Sequence, residues 1–417
     1  MKRNKVALVL AGGGLTGAVY EIGALRAIDD LLVDRTVNDF DIYVGTSAGA
    51  LVASFLVNGL SPEEMLAAFQ DAHPDFSPPK PWNILSFNNR EFLRRAALFP
   101  RTLASAWVHY MRHLDDMTVF DVIWSLMEAL PSGMYNADAL EKYVRQWLGT
   151  QRCTNDFDEL EPEFYVIATD LDSGERIVFG PGQNGKVLIS QAVAASSALP
   201  LVYNPVRVGE NDCIDGGLRG TASLDLAIER GAKLVICINP LVPYDNRDRD
   251  SIPFLGPDGG HLSRKGARFI ASQAMRIMMH SSLQYHVKQL RRQHPDVDII
   301  LIEPRRDDYQ MFFCNIMRYS ARLTVARHGF ESVTVDLAED YAYYKKVLAR
   351  HGIPLSRRLV ISELAEIQDS SYDPEVIRKI LESRQPRCIR RNRDTPICQL
   401  ARTLAELDLV LDQAEAS

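Results

Sequence analysis

VALVLAGGGLTGAVYEIGAL, from Val6 to Leu25, sets the architecture. Its first residues are apolar without alternation, the pattern of a strand buried on both faces. A glycine run then breaks the strand, and from Ala18 onward apolar residues recur at helical spacing. Strand, glycine turn and helix together form the opening unit of an α/β protein. Gly12, Gly14 and Gly17 also fit G-x-G-x-x-G, the spacing of a dinucleotide-binding turn. The question is which oxygen those amides serve.

The same alternation continues along the chain. Around Ile42 to Ser47, FDIYVGTS reads as a second strand, and AGALVASFLVNG as a very apolar second helix. EFYVIATDL (Glu163–Leu171) and ERIVFG (Glu175–Gly180) flank a polar DSG turn and predict a hairpin. DLAIERGA reads as a helix stopped by Gly231, followed by the buried strand KLVICINP (Lys233–Pro240). The expected fold is α/β: a largely parallel central sheet flanked by helices in three α/β/α layers, with a helical C-terminal extension. Residues 5–245 form the expected catalytic domain, with an aromatic, proline-rich helical cap inserted at about 61–150. Residues 246–353 read as a helical extension packed on the core, and 354–417 as charged C-terminal helices and tail.

The chain's 417 residues, 46% hydrophobic, supply a sizeable core without disulfide or metal staples. A net charge of −7 argues against bulk attraction to nucleic acid. Six cysteines are scattered without a C-x-x-C pair, which predicts reduced thiols. The apolar run near the N-terminus is short and ends in glycines, unlike a secretory signal, and no stretch is long enough to span a bilayer. The expectation is a cytoplasmic protein with peripheral membrane contact. The basic cluster PRCIRRNRD (Pro386–Asp394) reads as solvated surface.

DIYVGTSAGAL contains Gly45-Thr46-Ser47-Ala48-Gly49, a G-x-S-x-G between a predicted strand and a predicted helix, the context of a nucleophile elbow. This placement disfavours a dinucleotide. A Rossmann unit needs an acidic residue at the end of its second strand to hold the ribose, whereas this strand ends at Ser47 and its Asp41 lies at the beginning. Beside a serine nucleophile, glycine amides most simply hold the oxyanion of a tetrahedral intermediate. A serine also needs a base. None of the nine histidines falls in a strand-end loop. Asp215, before Gly216 and Gly217, is the better candidate, although an isolated Asp-Gly-Gly is ordinarily only a turn.

Gly12-Gly13-Gly14-Leu15-Thr16-Gly17, Gly45-Thr46-Ser47-Ala48-Gly49 and Asp215-Gly216-Gly217, in that order, resemble the motifs of patatin-like phospholipases. The intervening ATDLDSGERIVF (Ala168–Phe179) and AVAASSALPLVYNPV (Ala192–Val206) are similar to that family too. The resemblance implies a Ser–Asp dyad in which Ser47 is acylated and Asp215 is the base. The amides of Gly12, Gly13 and Gly14, joined by that of Ala48, would hold the oxyanion. It implies release of fatty acids from phospholipids or lysophospholipids, with no metal and no cofactor. Thr16 departs from the Arg or Lys usual at that position, which weakens the case for phospholipid more than that for ester hydrolysis. Two other readings stand beside it: an inactive binding protein of the same fold, and a nucleotide-binding oxidoreductase.

Overall fold

The computed structural model describes residues 4–33, 35–70, 73, 78–112, 130–182, 187–247, 260–313 and 319–382. The basic cluster at 386–394 lies outside them, as do Cys314, Cys388 and Cys398; Cys153, Cys213 and Cys237 are free thiols. Strand β1 (Lys5–Leu10) sits inside a sheet. On one side it pairs in parallel with β2 (Ile42–Thr46), and β2 pairs with β5 (Glu163–Asp170). On the other side it pairs in parallel with β10 (Ala232–Ile238), and β10 with β11 (Asp298–Ile302). The expected hairpin is present: β6 (Arg176–Phe179) runs antiparallel to β5. An antiparallel ribbon of β8 (Val206–Val208) and β9 (Asn211–Asp215) completes the eight-stranded sheet.

The unbroken apolar run of β1 follows from burial on both faces. Val6, Leu8 and Leu10 join one core with helices α1 (Gly14–Leu31) and α2 (Ala48–Val57). Ala7, Val9 and Ala11 point the other way, into a second core with the helices Leu224–Glu229 and Ala267–Gln293. The result is the α/β/α layering expected from the sequence. The helix Leu224–Glu229 stops before Gly231, which takes φ +92°, the left-handed conformation that favours glycine at a helix end.

The segment from 61 to 150 holds both helices and strands. Helix α3 (Pro62–Phe69) and the helix Asp138–Leu148 bury Met65, Leu66, Phe69, Tyr143, Val144 and Trp147 in the first core. The short strands β3 (Ser86–Phe87) and β4 (Gly133–Asn136) pair with each other and, through β4, with β7 (Leu201–Tyr203) to form a small second sheet. Among the described residues no helix is long and apolar enough to cross a membrane.

The C-terminal part is built into the core. β11 extends the main sheet, and the helix Tyr319–Glu339 crosses α1 with backbone against backbone. A Cβ at Gly23 would collide with the carbonyl of Ala326, and one at Gly329 with that of Tyr20. Arg26 of α1 is fully buried and ion-paired to Asp30, to Glu63 of α3 (3.3 Å) and to Glu363 (3.3 Å) of the helix Arg358–Asp369. It also donates to the Ile380 carbonyl at 3.2 Å. Removing one member of a buried ionic cluster leaves the others uncompensated, at about 3–5 kcal/mol. Arg26→Met is therefore expected to lower the unfolding free energy, read from urea denaturation, by an amount of that order; an unchanged free energy would show that the cluster does not tie the C-terminal helices to α1.

Candidate active site

The register of β5 builds the site. On one edge, Ile167 pairs with Val178 of β6 while its other edge pairs with Thr46 of β2. One residue on, Ala168 pairs with Ile177 of β6 and, on the edge that β2 has just left, with Asp215 of β9. β2 runs parallel to β5 and β9 antiparallel, so their C-terminal ends meet head on. Ser47 follows the last residue of β2, and Asp215 is the last of β9. Two residues 168 positions apart in sequence are thus brought together, with Ser47 Oγ donating to Asp215 Oδ2 at 2.6 Å.

Ser47 takes φ 54°, ψ −120°, a conformation costing a non-glycine residue about 1–3 kcal/mol. The turn is tight on both sides. A Cβ at Gly49 would strike the carbonyls of Leu10 and Ala11, and one at Gly45 the backbone of Ala50. The strained residue is held by a partner the sequence reading missed. Fully buried Ser196 accepts a hydrogen bond from the Ser47 amide at 2.7 Å and donates to the Ile167 carbonyl at 2.5 Å. Its signal was faint: one of two adjacent serines at the end of the helix Ile189–Ser196.

Asp215 is buried, and its other oxygen accepts from the Gly217 amide at 2.8 Å. Burial disfavours the charged form and pushes its pKa from 3.8 up to about 6, while the hydrogen bonds from Ser47 and Gly217 pull the other way. Among the described histidines, His280, His328 and His351 face Glu303, Asp308 and Asp298, and none bonds to Ser47.

The glycine loop passes directly over the serine: a Cβ at Gly12 would lie 3.3 Å from that of Ser47. The Gly12 amide donates to the Thr221 carbonyl at 3.4 Å, a long hydrogen bond. The loop ends in α1, which opens at Gly14 with φ +60°; α2 opens at Ala48, and neither helix has a side-chain cap. First-turn amides lack intrahelical acceptors and carry the positive end of the helix dipole. Gly13 and Gly17 lie against the Pro240 ring, which leaves no room for a Cβ at either. Gly216 packs equally tightly on the backbone of Ile167.

Gly12, Gly13, Gly14, Ser47, Ala48, Asp215 and Gly217 line one cavity of about 380 Å³. Leu51, Leu140, Leu199, Val202, Met275 and Met279 make much of its wall, and among the described residues Asp215 is the one charged side chain lining it. The two methionines come from the stretch MRIMMH in the long helix Ala267–Gln293, far from every motif. No group of three or more potential metal ligands occurs among the described residues. The acidic residue that a ribose would need at the end of β2 is replaced by Ser47.

The model of the family "Patatin-like phospholipase" matches residues 8–228, more than half of the chain and the part that carries all three motifs. The chain belongs to the patatin-like phospholipase family. An uncharacterized protein, R571, of Acanthamoeba polyphaga mimivirus is 25% identical over 214 residues, covering 50% of this chain and 57% of the relative. The cGAMP-activated phospholipase of Escherichia coli (strain TW11681) is 24% identical over 211 residues, covering 48% of this chain and 47% of the relative. The match thus spans about half the length of these curated relatives. The crystal structure of VipD from Legionella pneumophila aligns with 99% of this chain and 88% of its own at 13% identity, with a TM-score of 0.29, too low to carry a functional argument.

The burial of Asp215 has a testable energetic sign. Its folded-state pKa lies above the ordinary value of 3.8, so the folded protein binds this proton more tightly than the unfolded chain. The stability this group contributes is therefore present at low pH and is lost as pH rises through about 6. Asp215→Asn keeps the shape and an oxygen to accept from the Gly217 amide, while its NH2 group reverses the other bond and donates to Ser47 Oγ, and it removes the buried charge. It is expected to gain up to about 3 kcal/mol of unfolding free energy at pH 8, and nothing below pH 4, in paired denaturation curves. A loss of stability at pH 8 would contradict this.

Proposed function

We propose that the protein is a serine acyl-ester hydrolase acting on phospholipids or lysophospholipids. The observation that carries the proposal is the 2.6 Å hydrogen bond from a strained Ser47 to a buried Asp215 at the floor of an apolar cavity. Ser47 Oγ attacks the ester carbonyl carbon as its proton passes to Asp215. The carbonyl π electrons move to oxygen, and the amides of Gly13, Gly14 and Ala48 hold the resulting oxyanion. Collapse of the intermediate breaks the C–O bond, and Asp215 returns the proton to the departing alcohol. Water then attacks the acyl-enzyme, Asp215 takes its proton, and Ser47 Oγ recovers that proton as the fatty acid leaves.

A carboxylate is a weak base for a serine hydroxyl. Raising its pKa toward 6 narrows the mismatch, and apolar walls strengthen the action of fixed dipoles on the reacting atoms. The cavity volume lies in the range of small-molecule sites, and its walls suit an acyl chain. Among the described residues no cation lines it to hold a phosphate, so the head group is assigned to the mouth or the solvent beyond.

Turnover of short-chain esters and of defined phospholipids and lysophospholipids tests this reading. Ser47→Ala is expected to lower kcat/KM at least about a thousandfold while the protein remains folded. Equal behaviour of parent and variant on every ester would instead favour an inactive binding protein of this fold.

A further inference from the structure

The helix Asn89–Arg112 leaves the body of the protein four residues after Leu85, which is part of the cavity wall. Its root is fixed to β4. The Asn88 amide donates to the Met134 carbonyl at 3.0 Å, and the Glu91 carboxylate accepts from the amide and hydroxyl of Ser132 at 2.9 and 2.8 Å. Beyond this root, among the described side chains, Leu93 is 73% exposed, and Leu98, Phe99 and Leu103 are exposed as well. Leu93, Ala97, Pro100, Leu103 and Ala104 fall on one side at helical spacing, all exposed. Arg90, Arg94 and Arg101, also exposed, line the adjoining side. Five arginines against one glutamate make this helix +4 (5 − 1) in a chain whose net charge is −7.

Exposed apolar residues also occur at the cavity lining and next to it in sequence. Trp82 is 72% exposed beside the wall residues Ile84 and Leu85. Leu201, 76% exposed at φ +70°, precedes the wall residues Val202 and Tyr203. Leu218 is both exposed and part of the lining. Exposed apolar surface of this kind marks an interaction site. An apolar stripe flanked by arginines is the composition of a helix lying in a membrane interface.

We propose that this face docks the protein on an anionic bilayer. Leu93, Pro100 and Leu103 enter the acyl region, Arg90, Arg94 and Arg101 meet lipid phosphates, and Trp82, Leu201 and Leu218 seat the cavity mouth on the leaflet. An acyl chain then moves from membrane to cavity without crossing water. The inference rests on reading the cavity as an acyl site. The pairing of an apolar stripe with an arginine flank favours a bilayer over an acidic protein partner, which would need the arginines but not the exposed leucines.

The test uses the full chain carrying Ser47→Ala, so that binding is read apart from turnover, and vesicles of phosphatidylcholine with or without phosphatidylserine. Co-sedimentation is expected to be at least about tenfold stronger on the anionic vesicles. Adding Arg90→Glu, Arg94→Glu and Arg101→Glu is expected to weaken it about a hundredfold or more. Adding Leu93→Asp and Leu103→Asp instead is expected to weaken binding on both vesicle types. In the otherwise native chain, both sets should leave turnover of a soluble short-chain ester unchanged, which also shows that the variants fold. Absence of vesicle binding by the parent, or binding that both sets leave intact, would overturn the proposal. Failure of the parent to turn over any ester would instead strike the hydrolase reading, since vesicle binding is measured independently of it.

Discussion

Everything at the candidate site depends on one strand serving two partners along a single edge. β5 pairs first with β2 and then, where β2 turns away, with β9. Backbone hydrogen bonds fix where each strand ends, and a slip of one residue would turn every side chain to the opposite face. The 2.6 Å contact between Ser47 and Asp215 is therefore a consequence of sheet register rather than of flexible side chains finding each other. Ser196 reinforces the arrangement by linking the Ser47 amide to the Ile167 carbonyl of the same strand.

The arrangement has an energetic cost that other parts of the fold offset. Ser47 is strained, and Asp215 is held away from water in its charged form. Against this stand two cores sharing one sheet, with the unbroken apolar strands β1 and β10 between them. The elements are also drawn together from far along the chain. Tyr319–Glu339 meets α1 through backbone contact, the cluster around Arg26 joins α1 to the C-terminal helices, and Met275 and Met279 line the cavity. The region beyond Pro240 carries none of the three motifs, yet it supplies part of the core and part of the cavity wall.

Local signals were legible in the sequence, and long-range ones were not. The run VALVLA, the G-x-S-x-G elbow and the DSG hairpin each carry their structure within a few residues, so strand, turn and helix could be placed directly. Ser47 and Asp215 were legible as candidates because their glycine neighbours are unusual. Their meeting required the β5 register, which no local pattern encodes. Ser196 looked like one more serine at a helix end, and the methionines of Met275–His280 like ordinary core. The acceptor of the Gly12 amide was hidden for the same reason: the Thr221 carbonyl lies more than two hundred residues away in sequence.

The central claim is that this register produces an activated serine whose base is Asp215. A fluorophosphonate, which bonds to an activated serine and mimics the tetrahedral intermediate, tests it directly when labelling is mapped by peptide analysis and its rate is followed with pH. Modification at Ser47 is expected, with a rate about tenfold lower at pH 5 than at pH 8. That ratio is the one an Asp215 pKa of about 6 requires when only its carboxylate form accepts the serine proton. A folded protein that is not labelled at Ser47, or is labelled there at a rate indifferent to pH across that range, would contradict the claim.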